Sequence, residues 1–126
     1  MVTWILWALI LAMLAWMGFN YLRIRRAAKI VDNEEFEALI RTGQLIDLRD
    51  PAEFHRKHIL GARNIPSTDL KTSLAALRKD KPVLLYENQR AQRVTNAALY
   101  LKKQGFSEIY ILSYGLDSWK GKVKTS

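Results

Sequence analysis

VLLYENQRAQRVTNAALYL, Val83 to Leu101, is the stretch whose reading decides the fold. A short apolar run stops at Glu87, and Asn88, Gln89, Arg90, Ala91, Gln92 and Arg93 follow. Val94, Ala97, Ala98 and Leu101 then recur at helical spacing, and Gly105 marks the stop. A continuous apolar run of this length reads as a buried strand, and the spaced set as the inner face of an amphipathic helix. Strand, tight loop, helix is the unit from which parallel α/β sheets are built. Its loop N–H groups gather at a helix N-terminus, where negative charge is favoured.

The same alternation extends in both directions. Leu45 to Leu48 (LIDL), Pro82 to Tyr86 (PVLLY) and Glu108 to Leu112 (EIYIL) are the three strand candidates. The segment DNEEFEALIRTG predicts a helix: Asp32 and Glu35 form a capping box, Phe36, Leu39 and Ile40 the inner face, and Gly43 the end. In DPAEF, Asp50 is the expected cap, Pro51 suits the first helical position, and Glu53 completes a second box. DLKTSLAALRKD predicts a further helix with Leu70, Leu74 and Leu77 on one face, and YGLDSWKG a closing turn. Strands alternating with helices predict a small parallel sheet covered on both faces, over residues 30–120. Lys120, Lys122 and Lys124 make a basic end, with residues 121–126 expected as a frayed, solvated tail.

The N-terminus is of another kind. TWILWALILAMLAWMGFNYL, Thr3 to Leu22, carries no charge. As a helix it rises about 30 Å, the thickness of a bilayer's hydrocarbon core. Trp4, Trp7, Trp16 and Tyr21 lie toward its ends, where amphipathic rings favour the interface. A cleaved signal peptide fits less well, because a basic n-region and a small-residue cleavage site are missing. Residues 1–22 are therefore expected to anchor the chain in a membrane, and 23–29 to form a short basic linker. Arg23, Arg25, Arg26 and Lys29 follow the span, so the positive-inside rule puts the N-terminus outside and the following domain in the cytoplasm. Ala8, Ala12, Ala15 and Gly18 share one helical face, a surface on which membrane helices can approach closely.

The formal charge of the 126 residues is +8, and the four juxtamembrane basic residues account for half of it. The basic balance is thus partly a topology signal. No aromatic residues interleave with the basic ones as on a nucleic-acid platform, so no nucleic acid is expected. The chain has no cysteine, which excludes disulfides, thiolate metal sites and thiol nucleophiles. His55 and His58 are three apart without a third ligand nearby, so neither metal nor cofactor is expected; His55 should be exposed and His58 should tie backbone together.

LIDLRDPAEFHRKHILGARNIP, Leu45 to Pro66, resembles the first signature of the rhodanese family, and FSEIYILSYGLDSW, Phe106 to Trp119, its C-terminal signature. The resemblance implies that Val83–Leu101 is the family's active-site strand, loop and helix. Active rhodaneses place a catalytic cysteine directly after that strand, to carry sulfur as a persulfide, and often an arginine five positions later. Here Glu87 stands at the cysteine position, Gln92 at the arginine position with Arg93 beside it, and Arg90 where a small residue is usual.

Persulfide chemistry needs a thiolate. A carboxylate cannot carry a sulfane sulfur in that way, so the loop Glu87–Arg93 is expected to be vestigial, with no catalytic residue. Two arrangements are open for Glu87: folded into the loop in place of an anion, or exposed. Asp47 and Arg49, at the end of a strand, are possible pocket neighbours, with Asp47 chiefly a structural hydrogen bonder, and Trp119 a core lid. The expected function is a membrane-anchored, catalytically inactive binding or regulatory module for a protein partner or a small anion. The alternative is an enzyme of the sulfurtransferase family that borrows a partner's cysteine, or uses Glu87 in other chemistry.

Overall fold

The structure is a computed structural model that describes residues 2–88 and 92–125, with only the backbone for 23–27. Helix α1 spans Val2–Ala27 and passes directly, through Ala28, into strand β1, Lys29–Val31. Residues 23–27 thus continue the helix. Residues Val2–Leu22 are long and apolar enough to cross a membrane, and none of their central window is buried against the domain.

Helix α2 (Asn33–Ile40) begins where Asp32 accepts a hydrogen bond from the Glu35 N–H at 2.9 Å, the cap that the sequence predicts. Strand β2 (Gln44–Asp47) leads to α3 (Pro51–Arg56), with Pro51 in the first turn. The Asp50 side chain makes no cap bond there, and Glu53 instead accepts from Asn88 at 2.8 Å. Then come β3 (Lys57–Ile59), β4 (Arg63–Asn64), β5 (Val83–Tyr86), α4 (Gln92–Lys103), β6 (Ile109–Leu112) and β7 (Val123–Thr125).

Five strands form one parallel sheet in the order β1-β6-β5-β2-β4. β5 lies at its centre, and Val83, Leu84, Leu85 and Tyr86 are wholly buried. The two-residue period of the strand sends alternate side chains to opposite faces. Val83 and Leu85 join Val94, Ala97, Ala98 and Leu101 of α4 in one core, with Ala28, Ile46, Ile109 and Ile111. Leu84 and Tyr86 join Phe36 of α2, Leu45, Ile59, Leu112 and Leu116 in the other. The sheet is therefore covered on both faces, as the alternation of elements predicts. Trp119 closes the second core, edge-on to Phe36 with ring centres 5.9 Å apart.

Two segments differ from expectation. Residues 67–77 form two short 3-10 turns, Ser67–Thr72 and Leu74–Ala76, in place of one α-helix. The Thr72 hydroxyl donates to the Asp69 carbonyl at 2.9 Å, and the Ser73 N–H is shared between the Asp69 and Leu70 carbonyls. A side-chain bond such as that of Thr72 competes with helix propagation. The basic end is not frayed: β7 pairs antiparallel with β3, setting Val123 opposite Ile59.

Candidate functional site

The C-terminal ends of parallel strands gather at one edge of the sheet, and Tyr86 delivers Glu87 there. Two backbone bonds brace the residues that follow. The Leu116 N–H donates to the Glu87 carbonyl at 2.8 Å, and the Asp117 N–H to the Asn88 carbonyl at 3.0 Å. The turn that supplies these donors begins at Gly115, whose φ of 68° is positive.

The Glu87 side chain is only 7% exposed, so of the two arrangements open from the sequence the buried one is observed. Its Oε2 accepts the Val94 N–H at 2.9 Å, satisfying one of the orphan donors in the first turn of α4. Burial pushes the carboxyl above its usual range; the Val94 N–H and the positive Arg93 pull it back in part, while Glu53 and Asp47 push it up. The folded state thus holds this proton more tightly than the unfolded chain. The associated stability is full below the ordinary carboxyl range and is lost as pH rises through the raised value. Glu87→Gln should remove that dependence. Chemical denaturation from about pH 4 to about pH 7 should show the native chain losing stability relative to the variant.

A buried ion pair forms the other part of the site. Asp47 is fully buried and Arg49 is 4% exposed. Arg49 Nε bonds Asp47 Oδ1 at 3.0 Å and Nη2 bonds Oδ2 at 2.8 Å, a two-pronged contact. The Arg49 N–H also donates to Asp47 Oδ1 at 2.9 Å. Burial alone lowers the Arg49 pKa, but its bonds and charge contact with Asp47 outweigh this and leave it raised. The remaining donors of Arg49 reach outward, to the Lys57 carbonyl and, at 3.0 Å, to Asn88 Oδ1. Asn88 passes the contact on to Glu53.

Tyr86 underlies this network. Its hydroxyl accepts the Ile59 N–H at 3.1 Å, and burial beside the Asp47 charge holds its proton on well above the ordinary phenol range. Tyr86→Phe should leave the Ile59 N–H unpaired and cost about 1–3 kcal/mol in a denaturant titration.

Arg49, Glu53, Arg56, Lys57, Asn88, Leu116 and Asp117 line a polar cleft of about 420 Å³. Gln92 and Arg93 line a different hollow, of about 280 Å³, with Lys71, Asn96 and Tyr100. Gln92 Nε2 is bonded to Asn96 Oδ1 at 2.9 Å along α4. Of the residues predicted from sequence, Arg49 and Asn88 thus meet in one cleft, Asp47 supports it from within, and Gln92 and Arg93 line the other hollow. Gln89, Arg90 and Ala91 lie outside the described residues. Glu53, Lys57 and Asp117 were not anticipated; Glu53 reads as a helix-capping residue in sequence. His58 bonds the Phe54 carbonyl through Nδ1 at 2.7 Å and stacks on the Phe54 ring, as a backbone tie should, and His55 is exposed.

This fold, a parallel sheet covered on both faces with Glu87 at the end of its central strand, is that of a rhodanese-like protein. The family model described as Rhodanese-like domain matches residues 32–122, and the chain belongs to that family. It is 46% identical over 113 residues to the Bacillus subtilis protein YqhL, described as uncharacterised, covering 90% of this chain and 89% of that one. It is 36% identical over 95 residues to the thiosulfate sulfurtransferase GlpE of Stutzerimonas stutzeri, covering 73% of this chain and 84% of the relative. Among solved structures, a rhodanese-related protein of Thermoplasma volcanium superposes with a TM-score of 0.70 at 22% identity, over 78% of this chain and 99% of that one. A full-length protein of Lactobacillus plantarum does so with a TM-score of 0.68, also at 22% identity, over 91% and 98%. At such identities the structural likeness speaks for the fold alone.

Proposed function

We propose that this chain is a membrane-anchored rhodanese-like domain that binds a protein partner and transfers no sulfur. The observation that carries the reading is Glu87. It occupies the position at which active members of the family hold cysteine, it is buried, and its carboxylate is spent on the Val94 N–H. No other residue can take over, since the sequence has no cysteine. The thiosulfate sulfurtransferase activity named for the GlpE relatives needs a thiolate, which a carboxylate does not replace.

Arg49, Glu53, Lys57, Asn88 and Asp117 leave the cleft polar and of mixed sign, a surface suited to complementary side chains of a protein. A small anion is less well served, because Arg49 is already paired with Asp47, and Glu53 and Asp117 offset Arg56 and Lys57. Helix α1 supplies the anchor, and the basic residues after Leu22 favour a cytoplasmic domain.

Two measurements test the reading. Purified full-length chain, given thiosulfate and cyanide, should form no thiocyanate above a heat-denatured control; clear turnover would overturn the inactive assignment. Affinity capture from detergent-solubilised membranes should retain a protein on the native chain and lose it on the Arg56→Glu, Lys57→Glu variant. Equal capture by both would exclude this cleft as the binding surface.

A further inference from the structure

The five strands of the main sheet run in one direction, so they begin at one edge and end at the other. Asp47, Glu87 and the polar cleft belong to the finishing edge. Helix α1 enters at the starting edge: it ends at Ala27, Ala28 is buried, and β1 begins at Lys29. It also touches α4, whose last turn returns to the starting edge before β6. Strands of four residues separate the two edges by about 13 Å.

The starting edge is strongly basic. Lys29, Arg41, Lys79, Lys81, Lys102 and Lys103 are all exposed there, in the segments that lead into β1, β2, β5 and β6. Arg78 is neutralised by Asp80 at 2.6 Å, which leaves Glu108 as the one further acidic residue of these segments. Lys79 lies over the Phe106 ring, 5.9 Å from its centre, and none of the six lines the polar cleft. The five helical residues beyond Leu22 rise about 7.5 Å, close to the depth of one headgroup layer. The edge therefore begins where headgroups end, within the screening length of about 8 Å at physiological salt.

We propose that this starting edge is a second membrane contact, resting on the anionic headgroups of the leaflet from which α1 emerges, so that the cleft faces away from the bilayer. The inference rests on the reading of α1 as a membrane span. Each lysine near an anionic surface should favour the docked orientation by about fivefold.

The absence of native cysteine makes the chain a ready host for single labels. Ser107, between α4 and β6, and Ser118, in the turn after β6, are exposed and lie toward opposite edges. The full-length chain carrying Ser107→Cys or Ser118→Cys, labelled with a fluorophore, is placed in vesicles that carry a headgroup-borne quencher. The vesicles are phosphatidylcholine alone or phosphatidylcholine with phosphatidylserine. The label at 107 should be quenched more strongly in the anionic vesicles, and the label at 118 should not respond to lipid charge. Adding Lys79→Glu, Lys81→Glu, Lys102→Glu and Lys103→Glu should abolish the lipid effect at 107, and high salt should do so in the unreversed chain, where folding is not at issue. If alkaline carbonate strips the chain from the vesicles, the membrane reading fails. If the chain stays but quenching at 107 is the same in both lipids, the docked edge alone is overturned.

Discussion

Asp47→Ala is expected to destabilise the domain by about 3–5 kcal/mol, the cost of leaving a buried charge without its partner. Asp47 has no exposed surface, and Arg49 would remain in place with 4% exposure. Its guanidinium would keep the Lys57 carbonyl and Asn88 but lose both prongs of the Asp47 contact. Replacing both members, Asp47→Ala with Arg49→Met, should be less damaging than adding the single losses, because the double variant strands no charge. A denaturant-unfolding cycle of the four proteins reads the difference. Additive losses would mean that the pair contributes no coupling, contrary to its geometry.

Gly115→Ala should be comparably severe, at about 4 kcal/mol, from two sources. At φ 68° and ψ −166° the backbone is in a region that residues with a side chain scarcely enter. A Cβ at this position would also lie 2.5 Å from the carbonyl oxygens of both Glu87 and Asn88. Those carbonyls accept the Leu116 and Asp117 N–H groups, so relief of the clash must open the brace behind the loop. Hydrogen exchange at Leu116 and Asp117 should accelerate by more than at Ile109 or Ile111. Unchanged stability together with unchanged exchange would contradict the close approach.

How much of this was legible depended on segment length. β5 and β6 are four-residue apolar runs, β2 carries Leu45 and Ile46 at its centre, and each announces itself. β1, β3, β4 and β7 are two or three residues long and each carries Lys or Arg, so no periodicity can emerge. The pairing of Lys57–Ile59 with Val123–Thr125 joins segments far apart in the chain, and no local pattern records it. The position of Glu87 could be read from the neighbouring motifs. Its burial could not, because that depends on where the Val94 N–H points. The relay from Arg49 through Asn88 to Glu53 was hidden for the same reason: helix α3 and the segments after β2 and β5 contribute one residue each.

The junction of α1 and β1 has a mechanical meaning. A single buried residue, Ala28, separates the helix from the sheet, so the joint has no slack with which to swivel. The anchor and the domain should turn as one body, like a key with its bow. One alanine inserted into α1 after Leu22 would rotate the domain by about 100° around the helix axis while lifting it only about 1.5 Å. Two copies brought together along one stripe of their anchors would hold their clefts at a set azimuth, and such an insertion would reset it.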